Sequence, residues 1–417
     1  MTSSSTGRAD SKNEALEGLR GIASLGVFCA HFLFAFLPHL ATYARPNLVI
    51  PSRYGWESIV VQPIFSVFYN GSFAVSIFFV LSGYVLTRRF MTRDDVDSLR
   101  TGAAKRYLRL TIPVLASTLF AWALFAAGLM KNGLIAELGS AGWPLIYYPQ
   151  TLNFQAALAE ALFGTQFLHL AQFNGPLWTI KIELMGSFVL FATYLFFGKK
   201  YFALNIAIYI AIVTCIAPQS EYLFHYLAIF LGSAIHYVER GLKRSELMSV
   251  TLVLAGLFLG SFDFSPFFSP LANVTLPTPP APLPSFEVSK RVFYHTFGAV
   301  FIVMGVIGSA SVARLLASRI PVYLGRLSFA MYLLHWPIIF SLSYGMMGLL
   351  VLRWRWDYGS ALSVTALFTA VVVLAFSHLF ERLVDRPAVV VSGWFAERVL
   401  RLGKTVPSPP VQPAAKP

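Results

Sequence analysis

The 417-residue chain is 56% hydrophobic and only 12% charged, with 38 phenylalanines and a net charge of +13. A water-soluble domain of this length needs far more charged surface, which excludes the soluble classes and indicates a polytopic membrane protein. The positive charge does not indicate nucleic acid, because the basic residues fall in the gaps between apolar runs, where orientation signals belong.

Apolar stretches able to cross about 30 Å of hydrocarbon at ~1.5 Å per residue predict ten helical spans. They lie at roughly 21–40, 70–87, 110–130, 177–197, 201–217, 222–238, 247–264, 292–312, 321–343 and 360–380. The first is not a cleaved leader: it is long for one, contains His31, lacks a small-residue cleavage site and is followed by more spans. The fold class is therefore all-α, a transmembrane helix bundle.

The connections alternate sharply in charge. One side takes Arg8, Lys12 and Arg20, the basic 88–109 loop, Lys199 and Lys200, Arg240, Lys243 and Arg244, Arg314 and Arg319, and the basic residues beyond Glu381. The other side takes far fewer. The positive-inside rule then makes both termini cytoplasmic, as an even number of spans requires. The expected organisation is a cytoplasmic tail over 1–20, a transmembrane domain over 21–383, and a partly disordered cytoplasmic tail over 384–417.

Two outer connections are not simple spans. Residues 131–176 carry a helix-like pattern around 153–170, which suits a re-entrant or interfacial piece. Residues 265–290 are too proline-rich for helix and predict an extended loop. Cys29 and Cys215 both lie in apolar runs and suggest neither a disulfide framework nor a metal site.

Ionisable groups within spans are functional candidates, because a charge at mid-bilayer costs about 2.5–3.5 kcal/mol on insertion scales. Eleven residues of helix turn through ~1,100° and rise ~16 Å, so Arg20 and His31 share one stripe of the first span. A histidine there suits a general base between two compartments, and equally a structural hydrogen bond with Arg20 as an anchor. Glu183, in "NGPLWTIKIELMGSF", faces a different direction from Lys181 two residues away and needs a partner on another helix. Trp178 in the same stretch belongs at an interface. Arg106 and Arg109 of "KRYLRL" stand one above the other and suit phosphate, or serve topology alone. Ser328, Tyr332 and His335 line one face of the ninth span, with Pro337 marking a local break. Ser82 and Gly83 offer a small face for close helix packing.

Together these stretches resemble the acyltransferase-3 family of membrane acyltransferases, over about 17–387 and in that family's order. "LEGLRGIASL" with Arg20, ten residues and then His31 resembles its arginine–histidine signature. "GSFAVSIFFVLSGYVLTRR" resembles its second-span signature, with Tyr84 where phenylalanine is usual. "RYLR", "LWTIKIE", "YLGRLSFAMYLLHWP" and "FERLVDRP" resemble the remaining elements. One departure is that Leu184 follows Glu183 where many members have a second acid, so a paired-carboxylate role is not carried over.

The resemblance implies transfer of an acyl group, usually acetyl from acetyl-CoA, to a hydroxyl of a glycan or lipid-linked saccharide in a bacterial inner membrane, without a metal. Arg20 would orient the donor, and His31 would act as general base or be transiently acylated. Glu183 would orient His31 or receive the acceptor proton. Arg106, Arg109, Arg88 and Arg89 would meet the CoA phosphates. Trp178, Ser328, Tyr332 and His335 would contact substrate. Two rival readings stand beside this one: a transporter or flippase of a glycolipid, and a scaffold of an export complex.

Overall fold

Polar residues ahead of the apolar runs cap helices in the computed structural model, which describes residues 4–43, 49–135, 137–138, 152–216, 220–276 and 289–402. Asn70 Oδ1 accepts from the Phe73 amide at 3.1 Å, Asp95 from Ser98 at 3.1 Å, Ser245 from Met248 at 3.2 Å and Asp357 from Ser360 at 3.0 Å. Each satisfies a backbone N–H that the first helical turn leaves without a partner.

The resulting helices are α1 (Ser4–Phe36), α2 (Gly71–Arg93), α3 (Val96–Ala126), α4 (Thr179–Phe197), α5 (Phe202–Ile216), α6 (Ser220–Leu242), α7 (Glu246–Gly260), α8 (Lys290–Gly308), α9 (Arg319–Ile338), α10 (Tyr358–Phe380) and α11 (Arg386–Leu402). No strand occurs among the described residues, so the all-α class holds. All ten expected spans fall on helices. Among the described residues, seven helical stretches are long and apolar enough to cross a membrane, and these contain α1 to α4 and α8 to α11. Helices α5 and α7 have 15 residues each, about 22 Å of rise and short of a full span. Helix α6 is long enough but carries Glu221, His225, His236, Glu239 and Arg240.

Glycines set two close crossings. Helix α1 runs along α9, where a methyl on Gly21 or Gly325 would overlap the opposing backbone at Pro321 or Glu17. Helix α2 runs along α6, where Gly83 faces the Ile229 carbonyl and Gly232 faces that of Val80. Without side chains at these points the backbones approach closely, as membrane helices require when packing rather than water expulsion drives association.

From residue 152 onward, the connection between α3 and α4 is re-entrant. Phe154 packs on Trp122 near the end of α3, with ring centroids 4.9 Å apart. The chain then descends beside α3 until the Tyr107 hydroxyl donates to the Leu162 carbonyl at 2.6 Å. It climbs back past Thr111, bonded to Gln166 at 3.2 Å, and Ser117, bonded to Asn174 at 3.4 Å. A π-helical turn, Glu160–Gly164, forms its bottom. The Glu160 carboxylate closes the hairpin by accepting from the Gln172 and Phe173 amides at 3.0 and 3.2 Å.

Pro337 explains why this hairpin docks on α9. A proline has no N–H, so the Leu333 carbonyl four residues earlier loses its helical donor. The Asn174 side-chain amide supplies one at 2.7 Å. The helix then loosens into a π turn at Ile339–Ser343.

Two expectations change. Residues 265–290 are not wholly extended: Pro266–Phe268 and Ser269–Ala272 are helical turns, each with proline at its start, where the missing N–H costs nothing. Residues 277–288 lie outside the described part. At the other end, the chain past 383 does not leave the bundle at once. A π turn at Glu381–Asp385 leads into α11, which packs against α3; the proline-rich stretch beyond 402 is outside the described residues.

Candidate active site

One cavity of about 380 Å³ gathers six of the eleven sequence candidates: Arg20 from α1, Arg106 and Arg109 from α3, Glu183 from α4, and Ser328 and Tyr332 from α9. It lies between α1, α2, α3, α4 and α9, with Asp385 of the π turn after α10 on one side. Its walls are apolar side chains of α2, α4 and α9, including Phe78, Phe79 and Phe329.

Three of its arginines are each held by a carboxylate. Arg106, on α3, forms an ion pair with Glu183 and is the cross-helix partner that Glu183 was expected to need. Ser82 Oγ donates to the same Glu183 oxygen, and Arg106 also donates to Ser187 Oγ at 3.0 Å. Arg109 Nη1 lies 2.6 Å from Asp385 Oδ1, with its guanidinium 5.5 Å from the Phe329 ring centroid. Arg20 pairs with Glu17 at 3.2 Å within α1. The fourth lining arginine, Arg326, is exposed and has no ion pair or hydrogen bond among the described residues. The lining therefore carries one positive charge in excess, and it is exposed.

The histidines lie beyond the cavity floor. Tyr332 forms that floor, donating to the Pro176 carbonyl at 2.6 Å and sharing a 2.8 Å hydrogen bond with Thr179. Its ring centroid is 6.1 Å from that of His335, which is fully buried. His335 Nε2 lies 2.8 Å from His31 Nδ1, and the two rings are nearly parallel at 12°. The Trp336 ring meets His31 edge-on at 88°. Thus His31 and Arg20 occupy one stripe of α1, with Arg20 in the cavity and His31 about 16 Å further in.

Not every expected contact forms, and Trp178, Arg88 and Arg89 stand apart from the cavity. Glu183 contacts Arg106 and Ser82, not His31. Trp178 packs behind the cavity on Tyr222 and His225, at 5.7 and 5.4 Å. Arg88 and Arg89 follow Ser82 on α2 and do not line the cavity. His225 and His236 are buried among aromatic rings, consistent with structure.

Several cavity residues were not candidates from the sequence. Ser82 was assigned to packing beside Gly83, yet its hydroxyl turns the other way, into the Arg106–Glu183 pair. Asp385 and Glu17 sat inside quoted signatures without a role. Arg326 was visible as a charge within a span, which was its available signal. Among the described residues no group of three metal-ligating side chains gathers.

A family model described as an acyltransferase domain, acyltransferase-3, matches residues 13–380. The chain belongs to the acyltransferase-3 family. It is 24% identical to an acyltransferase of Phoma sp., over 91% of this chain and 95% of that one. It is 22% identical to an O-acetyltransferase of Phomopsis amygdali, over 93% and 85% of the two chains. The similarity to an O-acetyl transferase of Shigella phage Sf6 is also 22%, over 76% of this chain and 94% of the phage protein. No solved structure matches the chain. This acyltransferase-3 protein is thus an integral-membrane enzyme of the O-acyltransferase class, and the transporter and scaffold readings give way.

Proposed function

We propose that this acyltransferase takes an acyl group, most simply acetyl, from acyl-CoA on the side where its termini lie and transfers it to a hydroxyl of a glycan or lipid-linked saccharide. The positive-inside asymmetry supports the cytoplasm as that side. The observation that carries the reading is the single stripe of α1 that joins an arginine-rimmed cavity to a histidine pair.

The cavity has the size of a small-ligand pocket. It suits the thioester arm, with the phosphates of the donor at the arginine mouth. Arg326 is the lining cation free to meet them, while Arg106 and Arg109 present guanidinium edges held in fixed directions by Glu183 and Asp385. Arg20 orients the donor beside them. Arg88 and Arg89 extend the basic mouth on α2. Ser328, in the cavity lining, falls to a donor contact, and Trp178, behind it, to an acceptor contact.

In the chemical step the acceptor oxygen attacks the thioester carbonyl while His31 takes its proton. The carbon–oxygen bond forms, the carbon–sulfur bond breaks, and the leaving thiolate receives the proton from His31. A relay through an acylated His31 is the second form of the same step, favoured by the depth of the ring, since donor and acceptor then reach it from opposite sides. A bacterial inner membrane provides acyl-CoA on one face, and polysaccharides or lipid-linked saccharides supply the hydroxyl.

The test is purified enzyme in liposomes with radiolabelled acetyl-CoA, wild type against His31→Ala. Loss of label from CoA that drops at least about a hundredfold in the variant supports the reading, and label retained on wild-type protein supports the relay. Equal rates in the two proteins would overturn the role of His31.

A further inference from the structure

The hydrogen positions of the histidine pair follow from the one neighbour that has no hydrogen to give. The Met331 carbonyl can only accept, and His335 Nδ1 lies 2.8 Å from it. That nitrogen therefore carries a hydrogen. In a neutral imidazole the other nitrogen is then an acceptor, and His335 Nε2 is the atom that faces His31 Nδ1 at 2.8 Å. His31 Nδ1 must donate, which leaves the lone pair of His31 on Nε2. No carboxylate touches either ring among the described residues, so nothing there compensates a second proton. The buried side of the arrangement is rigid: His335 is 1% exposed, its donor bond runs to its own helix, and Trp336 stands edge-on against His31.

We propose that His335 is a positioning residue for His31: it accepts the Nδ1 hydrogen and thereby presents Nε2 as the basic nitrogen of the site. This rests on the reading of His31 as the base. The acceptor hydroxyl then gives its proton to Nε2 as its oxygen bonds to the thioester carbon, and the departing thiolate takes that proton back. His335 ends the cycle with the same hydrogen it began with. It works as the carboxylate does in an acid–histidine pair, but without adding a negative charge inside the membrane, where a lone charge is costly. With the acceptor at His335 removed, the hydrogen is free to move to Nε2, and the lone pair then points into the gap that His335 leaves.

The experiment is nitrogen NMR of the full-length protein in lipid bilayers with ¹⁵N-labelled histidine, the His31 signals being assigned by their loss in His31→Asn. Wild-type His31 is expected to carry hydrogen on Nδ1 and not on Nε2. In His335→Gln, whose amide oxygen reaches the place of Nε2, the Nδ1 hydrogen is retained. In His335→Leu it is lost or shared. The kinetic counterpart is a fall in kcat of about a hundredfold in His335→Leu, with the donor KM little changed and most of the rate restored in His335→Gln. A hydrogen on Nε2 of wild-type His31, or a His335→Leu variant with unaltered tautomer and kcat, would overturn the inference. The tautomer is read without substrate, so it stands apart from the role of His31: an Nδ1 hydrogen in a protein whose His31→Ala variant is fully active would sink the base, and the positioning role with it.

Discussion

Arg109 and Asp385, 276 residues apart in sequence, meet at 2.6 Å between α3 and the π turn that opens α11. The second arginine of the "RYLR" element and the acid of "FERLVDRP" are thus two halves of one ion pair. Their side chains are 25% and 13% exposed, so each loses much of its hydration and depends on the other. Asp385→Asn alone should lower the unfolding temperature in detergent, and Arg109→Gln added to it should recover part of the loss. A double-mutant cycle is expected to give a coupling of about 1 kcal/mol; strict additivity would mean that the pair contributes nothing.

Arg106 and Glu183 should behave as one unit. Glu183 fixes the direction of the guanidinium, so removing either residue disturbs the same contact with the donor. Arg106→Gln and Glu183→Gln are each expected to raise the KM for acyl-CoA while leaving that for the acceptor near its starting value. The double variant should be little worse than the worse single one. A Glu183→Gln enzyme of normal KM and kcat would reduce the carboxylate to a structural part.

Arg326 makes a different prediction, because it is exposed and has no carboxylate beside it among the described residues. An exposed charge pair is worth up to about 1 kcal/mol, so Arg326→Gln should raise the donor KM by roughly threefold to fivefold. That difference should shrink as salt is added, since ions screen an exposed contact more than the interior pairs. A difference unchanged at high salt would exclude a direct phosphate contact.

Asn174 should matter to the fold before it matters to turnover. It gives the Leu333 carbonyl the donor that Pro337 lacks, and both atoms are buried. Asn174→Ala leaves that carbonyl unsatisfied and is expected to cost about 1–3 kcal/mol, read as lowered thermal stability. Adding Pro337→Ala, which restores a backbone N–H at that point, should return part of it. If the second change brings no recovery, the asparagine is not filling the proline gap.

The helices, their approximate limits and the membrane itself were legible in the sequence. In hydrocarbon every backbone group must find its partner within the protein, and an unbroken apolar run of about 20 residues does so as a helix wherever its neighbours lie. The order of the short motifs was enough to point to the family, and the eleven-residue spacing placed Arg20 and His31 on one stripe of α1. Spacing along a helix says nothing, however, about which stripe of another helix comes to face it. Only the packing of α1 on α9 put His31 against His335, 304 residues away, and only the crossing of α3 with α4 gave Glu183 its arginine. Packing across α3 likewise committed Arg106 and Arg109 to carboxylates, while Arg326 has no ion pair among the described residues. Local chemistry decided what each segment becomes, while the rotation of each helix about its axis, set by glycine contacts and the docked hairpin, decided which groups meet.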